Sequence, residues 1–145
     1  MKEAPRARFR VASYNVHGCI GMDRQRSESR IAAVIAELAV DVIGLQELDR
    51  NRARSAGVNQ AEVIAAELGW FYHFHAAMQS GEEHYGNAIL SRYPLSVRRS
   101  VCLPGIAPFF CRETRGAIDL EVAMEFGTLH VINTHFGLGR AERLL

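Results

Sequence analysis

The sequence predicts an α/β fold of the α+β type, because segments of helical and strand periodicity follow one another along the chain. Two segments, 28–38 and 61–68, repeat apolar residues at helical spacing. Two others, 116–125 and 128–135, are typical of paired strands, since apolar and polar residues alternate in the first. The 145 residues, 48% of them hydrophobic, are enough for one domain with its own core.

A strand–helix–strand unit comes first. Residues 9–15 contain β-formers, helix 28–38 places its apolar residues on one face, and 42–48 is an apolar run of strand length. Such a run is typical of a strand that is buried on both faces. No repeat or linker interrupts the chain, so we assign residues 1–8 to a basic N-terminal segment and residues 9–145 to one domain.

The remainder is expected to contain one more helix and several strands. Asn59, with Glu62 three residues later, resembles a capping box, and Gly69 ends helix 61–68. The strands are predicted at residues 70–76, 87–91, 97–103, 116–125 and 128–135.

The composition argues against several classes of protein. No apolar run approaches the ~18 residues of a membrane span, and residues 1–10 lack the apolar stretch of a signal peptide, so we expect a cytoplasmic location. The net charge of +1 gives no global electrostatic reason to bind nucleic acid. The three cysteines lack CxxC spacing, and no ligand spacing supports a zinc site that combines them with His73, His75 or His84.

Arginine supplies nearly all of the positive charge, since Lys2 is the only lysine. Arginine suits bidentate contacts with phosphate, although a genomic preference for its codons explains the composition equally well. Two local groups are typical of solvated surface, with contact to a phosphate-bearing substrate as the alternative: Arg24, Arg26 and Arg30, and Arg50, Arg52 and Arg54.

Two polar side chains end the strands of the first unit. Asn15 and Glu47 fall at or near the carboxyl ends of strands that a right-handed crossover makes parallel, so both project at one edge of the sheet. A carboxylate and a carboxamide suit a hard cation such as Mg²⁺, which keeps several waters. The spacing alone favours a simpler interpretation, in which Asn15 caps a turn and Glu47 faces solvent.

The last hairpin brings a second polar group together. A turn centred on residues 126–127 would place Ile118 opposite His135, with Glu113 and Arg115 at the same strand end. Arginine can hold phosphate oxygens, and histidine can orient or protonate an oxygen as charge develops. A surface pair of Glu113 with Arg115, beside a purely structural His135, is the simpler alternative.

Five short segments lie in order at strand ends or in the loops after them: 13–18 (SYNVHG), 44–47 (GLQE), 86–94 (GNAILSRYP), 113–117 (ETRGA) and 133–136 (NTHF). Together they resemble the motifs of the endonuclease/exonuclease/phosphatase superfamily, which includes DNA nucleases, sphingomyelinases and inositol polyphosphate phosphatases. One such segment alone carries little information, whereas five in family order are specific. The resemblance covers the chain from Phe9 onward.

The resemblance implies part of a four-layer α/β sandwich with mixed sheets. It also implies hydrolysis of phosphate esters, above all phosphodiesters, by in-line attack of water with a divalent metal, Mg²⁺ or alternatively Mn²⁺. The substrate would be a nucleic acid, a small molecule or a lipid headgroup. Glu47 would be a metal ligand, and Asn15 would be a direct or indirect partner of the metal.

The remaining site residues also follow from the resemblance. His135 would contact the scissile phosphate or its leaving oxygen, and Arg115, beside Glu113, would organise the site. Asn87 would support the loop next to it. A local structural role is expected for His17.

The family's Gly-Asp-x-Asn and Ser-Asp-His blocks, which supply water-activating residues, do not occur in this sequence. We therefore expect a truncated domain that is inactive by itself. Its second sheet would be largely missing, which would leave an apolar face exposed to self-association. A phosphatase or lipid-headgroup phosphodiesterase is one alternative, mildly favoured by the near-neutral charge. A non-catalytic phosphate-binding remnant is another.

Overall fold

The computed structural model describes residues 8–104 and 113–137. In these ranges the chain forms the following helices and strands, in chain order: β1 (Val11–Asn15), α1 (Glu28–Leu38), β2 (Val42–Arg50), α2 (Gln60–Leu68), β3 (Phe71–Ser80), β4 (Glu83–Ser91), β5 (Leu95–Cys102), β6 (Gly116–Met124) and β7 (Gly127–Thr134). The expected N-terminal segment, except for Arg8, lies outside the described residues, and its boundary stays a prediction.

The bounds of α1 are as predicted, and α2 begins at Gln60, one residue before its predicted start, and ends at Leu68 as predicted. The Ser27 hydroxyl accepts a hydrogen bond from the Arg30 backbone N–H at the start of α1. At the start of α2, the Asn59 side chain accepts a hydrogen bond from the Glu62 backbone N–H, and Gly69 ends the helix at φ +67°. Their apolar faces pack on the first sheet, where they bury Ile31, Ala32, Ile35, Ala61, Ile64 and Ala65.

The first sheet has the strand order β1-β2-β4-β3. β1 and β2 are parallel, as predicted from the crossover through α1, and the other pairs are antiparallel. The β3–β4 hairpin is longer than predicted, because backbone pairing continues from Ala76 to Ser80 and from Glu83 to Gly86. Apolar and polar residues do not alternate regularly in that part of the hairpin, so hydrophobic periodicity could not indicate it.

The second sheet is antiparallel, with the order β5-β6-β7. The predicted register of its last hairpin is wrong by two residues, since Ile118 pairs with Asn133 and not with His135. Met124 pairs with Gly127, so the turn consists of the two residues between them. Gly127 has a φ of +140°, a value favoured by glycine, and it belongs to the strand and not to the turn.

The second sheet covers the inner face of the first, which corrects the expectation that this face would lack a partner layer. Strand 116–124 alternates cleanly, and its buried residues join those of the first sheet in one apolar cluster: Val42, Ile89, Ile118, Leu120 and Val122. The described residues therefore form three layers, with the helices on one side, the mixed sheet in the middle and the antiparallel sheet on the other side.

A polar clasp joins the two sheets inside this core. The Asn133 amide donates to the backbone oxygens of Leu45 at 3.0 Å and Ala88 at 2.8 Å, and its oxygen accepts from Gln46 Nε2 at 2.7 Å. Gly44 makes room for it, because a Cβ there would lie 2.9 Å from Asn133 Cγ. The clasp satisfies polar groups that would be costly to bury unpaired.

The α/β class and the sandwich arrangement of mixed sheets are confirmed. On the outer face of the second sheet, the Ile132 side chain is 71% exposed. Within the described part of the chain, no helix has the length and apolar character needed to cross a membrane. Self-association and a cytoplasmic location stay predictions.

Candidate active site

Glu47 owes its position to a bulge in β2. The register with β4 shifts between Leu45 and Leu48, and Glu47 has a φ of +63°. In a regular strand Glu47 would share a face with Leu45, which is fully buried in the core against the helices. The bulge turns the carboxylate out of that core and into a cavity at the sheet edge.

Three side chains surround the Glu47 carboxylate. Asn15 Nδ2 donates to Oε1 at 2.9 Å, and His17 Nδ1 lies 3.0 Å from Oε2. His135 Nε2, from the second sheet, lies 3.8 Å from Oε1. Asn15 Oδ1 accepts from the His17 backbone N–H at 3.0 Å, so Asn15 orients both the carboxylate and the loop after β1.

These neighbours keep Glu47 ionised. Partial burial raises the pKa of the Glu47 carboxyl, but the hydrogen bonds from Asn15 and His17 and the nearby His135 outweigh it. The resulting pKa lies below the ordinary value. At neutral pH the cavity therefore presents a carboxylate, which is suited to a cation.

A second group of side chains comes from the loop before β6 and the end of β7. Arg115 Nη1 lies 3.1 Å from His135 Nδ1 and 3.2 Å from Glu113 Oε2. The predicted meeting of Arg115 with His135 is thus present despite the shifted register. Because a guanidinium can only donate, His135 Nδ1 is the acceptor, and the proton of the neutral ring is on Nε2.

The neutral form of His135 is favoured by its surroundings. Burial lowers the pKa of the imidazole, and the charge of Arg115 lowers it further, while Glu47 and Glu113 raise it. The net pKa lies below the ordinary histidine value of 6.5. His135 therefore offers an Nε2–H donor near Glu47 at neutral pH.

Asn87 lies behind the site and does not line the cavity. Its side chain is buried in β4, and Nδ2 donates to the backbone oxygen of Gly116 at 3.0 Å. Thr134 Oγ1 donates to the same oxygen at 3.0 Å. These bonds fix the start of β6 and the end of β7, next to Arg115 and His135.

One cavity of about 340 Å³ connects both groups. Its lining residues are His17, Gly18, Ile20, Glu47, Arg54, Tyr85, Glu113, Arg115 and His135. The sequence did not point to Tyr85, because its part of β4 was not predicted to be a strand, and for His17 it favoured a local structural role. Arg54 was noted only as one of a local arginine group. Burial raises the pKa of Tyr85, so its hydroxyl stays protonated.

The site suits a hard cation better than zinc. Among the described residues, no group of three or more His, Cys, Asp or Glu side chains could hold a metal. Mg²⁺ needs few protein ligands because it keeps several waters, so the ionised Glu47 fits it. Asn15 holds that carboxylate in place through its amide N–H. Burial and, to a smaller extent, the negative charges of Glu28 and Asp49 raise the pKa of Cys19 to about 12. The thiolate form that zinc requires is therefore disfavoured at Cys19.

The comparison with family models decides the identity of the fold. The model described as "Endonuclease/Exonuclease/phosphatase family" matches residues 12–143. The chain belongs to this family. Endonucleases, exonucleases and phosphatases, which give the family its name, all cleave phosphate esters. A comparison with curated proteins gives no match.

Solved structures with the same fold agree with the family assignment. The endonuclease/exonuclease/phosphatase from Beutenbergia cavernae DSM 12333 has a TM-score of 0.69 at 23% identity, over 92% of this chain and 39% of that one. The family protein from Leptotrichia buccalis C-1013-b has a TM-score of 0.69 at 18% identity, over 93% and 57%. D. rerio TDP2 complexed with single strand DNA product has a TM-score of 0.56 at 16% identity, over 91% and 47%. The chain thus spans less than two thirds of each of these proteins.

Proposed function

We propose that this chain supplies the metal-binding and phosphate-binding part of a divalent-metal-dependent hydrolase that cleaves phosphate esters, with phosphodiesters as the main substrates. One observation carries the proposal. One cavity is lined by Glu47 from the first sheet and by His135 and Arg115, which lie at strand ends of the second sheet. His135 lies between the other two, 3.8 Å from the Glu47 carboxylate and 3.1 Å from the Arg115 guanidinium. A carboxylate can bind a metal ion, and an imidazole and a guanidinium can stabilise negative charge on a phosphoryl group.

Glu47 is proposed to hold Mg²⁺, or alternatively Mn²⁺. Asn15 and His17 fix the two carboxylate oxygens in direction, so the ligand is already in place before the cation arrives. A divalent cation held there would neutralise charge on phosphate oxygens and so favour attack by water on phosphorus.

Arg115 and His135 are proposed to hold the phosphoryl group during in-line attack of water on phosphorus. The Nε2–H of His135 donates to a phosphate oxygen as negative charge grows, while Arg115 keeps the ring in the required tautomer. Glu113 anchors the guanidinium from its other side, and Asn87 fixes the strand start that carries it. Each residue acts by position and charge and forms no covalent bond.

The substrate class follows from two considerations. D. rerio TDP2, of similar fold, is complexed with a single strand DNA product, which favours a phosphodiester. The net charge of +1 lacks the basic surface that duplex DNA usually requires, which favours a small or lipid-headgroup phosphodiester, or a phosphomonoester.

The metal site is tested by Mn²⁺ binding, which requires no turnover. We expect Glu47→Gln to weaken Mn²⁺ binding by about tenfold or more, measured by water-proton relaxation, because the amide loses the negative charge. Glu121→Gln is the matched control, since Glu121 is paired with Arg98 on the second sheet and does not line the cavity. Equal affinities of Glu47→Gln and the unaltered chain would refute the role of Glu47.

The isolated chain is expected to be inactive or nearly so, because its sequence contains neither the Gly-Asp-x-Asn nor the Ser-Asp-His block. Hydrolysis of bis(p-nitrophenyl) phosphate with Mg²⁺ measures this directly. A protein that carries the same residues followed by both blocks is expected to be active and to lose activity in Glu47→Gln. Robust Mg²⁺-dependent cleavage by the isolated chain would contradict the first expectation. Full activity of the longer protein that carries Glu47→Gln would contradict the second.

A further inference from the structure

Arg54 is a cation on the cavity wall that the proposed hydrolysis does not use. It lies in the short 3₁₀ turn Ala53–Ser55 after β2, and its side chain is 54% exposed. We propose that Arg54 binds a second phosphate group of the substrate, beside the one held by Arg115 and His135. The protein would then select phosphate esters that carry two neighbouring phosphates. This inference rests on the proposed function, since it names the substrate class of the same site.

The guanidinium of Arg54 is held in one orientation. Nε donates to Asp49 Oδ2 at 2.8 Å, and Nη2 donates to Asp49 Oδ1 at 2.7 Å. Asp49 is fixed in turn, because its backbone N–H donates to the buried Gln60 side chain at 2.8 Å. This bidentate pair uses one edge of the fork and leaves Nη1 for another acceptor. A pre-oriented donor loses little side-chain entropy when an anion binds.

Of the Arg54–Asp49 pair, only the arginine lines the cavity, so an anion bound there contacts the guanidinium and not the Asp49 carboxylate. Asp49 is only 2% exposed and does not line the cavity, whereas Arg54 does. Arg54 also lies over the ring of Tyr85, with Cζ 5.4 Å from the ring centroid, and Tyr85 lines the cavity too. The aromatic contact further restricts the guanidinium.

The cavity has room for more than one phosphoryl group. Its volume of about 340 Å³ falls in the range of small-molecule sites, at about 300–1,000 Å³. Its wall carries two guanidinium groups, and the proposed function assigns Arg115, beside His135, to the reacting phosphate. A second anionic group is therefore the part of a ligand that Arg54 can recognise.

A purely structural explanation makes a different prediction. If Arg54 served only to neutralise buried Asp49, its loss would lower stability and leave the relative affinity for ligands unchanged. A comparison of ligands with one and two phosphates separates the two explanations, because a general loss of folded protein weakens both to the same extent.

The test measures binding of inorganic phosphate and inorganic pyrophosphate to the chain by calorimetry in metal-free buffer. We expect pyrophosphate to bind about tenfold more tightly than phosphate, and Arg54→Gln to reduce this preference to about threefold or less. Arg98→Gln is the matched control, because Arg98 has a similar exposure of 52% and pairs with Glu121 away from the cavity. No preference in the unaltered chain, or an unchanged preference in Arg54→Gln, would overturn the inference.

If Arg54→Gln does not unfold cooperatively on heating, Arg54→Lys replaces it in the binding experiment. Lysine keeps the charge but lacks the planar fork, so pyrophosphate binding should weaken by about threefold while phosphate binding stays constant. Equal weakening of both ligands would overturn the inference.

Two further ligand pairs identify where the second phosphate comes from. A 5′-phosphorylated dinucleotide and an inositol bisphosphate are each compared with the counterpart that has one phosphate fewer. An Arg54-dependent gain in either pair supports the inference and names the source, and its absence in both overturns it. The proposed function is tested separately, since Glu47→Gln removes Mn²⁺ binding whether or not Arg54 selects a second phosphate.

Discussion

At the scale of single residues, the position of a polar residue at a strand end was the informative feature of the sequence. Glu47, Arg115 and His135 line the cavity and Asn15 contacts Glu47 from behind it, although their roles there stay predictions. The contact of His17 with Glu47 could not be predicted, because it depends on how one loop turns back toward a bulge. A contact between a loop histidine and a strand carboxylate produces no periodic pattern in the sequence.

The lowered pKa of His135 predicts a pH dependence of stability. Burial and Arg115 lower the pKa below 6.5 in the folded protein, against the opposing effect of Glu47 and Glu113. Below that value the unfolded chain binds more protons, so His135 contributes to stability above the ordinary pKa, and the contribution is lost as pH falls through the folded pKa. Urea unfolding at about pH 7.5 and about pH 5.5 should show a smaller pH effect in His135→Asn than in the unaltered chain.

His130→Asn is the control for this experiment, since His130 is exposed on β7 and pairs with Glu121. It should retain the pH effect of the unaltered chain. The assignment to His135 is wrong if both variants retain that effect equally.

At the scale of the elements, periodicity predicted the helices and strand β6, the turn after β6 predicted β7, and a capping box predicted where α2 begins. Two features were out of reach. The bulge in β2 is a backbone irregularity within an apolar run, and the outer part of the β3–β4 hairpin has no regular alternation of apolar and polar residues. Both are fixed by pairing with a neighbouring strand, which a single sequence does not show.

Two glycines allow close approach between elements, and their substitution should have different costs. In Gly44→Ala the new Cβ meets the Asn133 side chain at 2.9 Å, which can shift, so we expect a loss of about 1–3 kcal/mol of unfolding free energy. In Gly86→Ala the Cβ would overlap the backbone oxygen of His75, which cannot shift without moving β3. Chemical denaturation should therefore show a larger loss for Gly86→Ala, and the reverse order would contradict the described packing.

At the scale of the whole molecule, the family motifs predicted the sandwich but not the extent of the second sheet. The apolar face of β6 is evident in the sequence, but the second sheet, to which β6 belongs, is the layer that the sequence predicts to be largely missing. The structure shows three strands of that layer, and what stays exposed is its outer face. Alternation reveals that one face is buried, but it does not reveal what buries it.

Self-association of the isolated chain is now expected through this outer face. Ile132, 71% exposed on β7, is its most accessible large apolar side chain among the described residues. Sedimentation velocity should show less association in Ile132→Ser than in the unaltered chain. Met22→Ser is the control, because Met22 is also a strongly exposed apolar residue but lies in the loop between β1 and α1. A monodisperse unaltered chain would contradict the expectation.

The polar clasp of Asn133 has a consequence for the spacing of the reactive groups. Gln46 directly precedes Glu47, and Asn133 comes two residues before His135. The hydrogen-bonded pair that joins the sheets, Gln46 and Asn133, is therefore close in sequence to the pair that meets in the cavity, Glu47 and His135. Sliding of one sheet over the other would change the 3.8 Å separation between Glu47 and His135. Three hydrogen bonds oppose that movement at its most sensitive point. Hydrogen bonds inside the core thus fix the separation of Glu47 and His135 in the cavity, a distance that neither sheet could set alone.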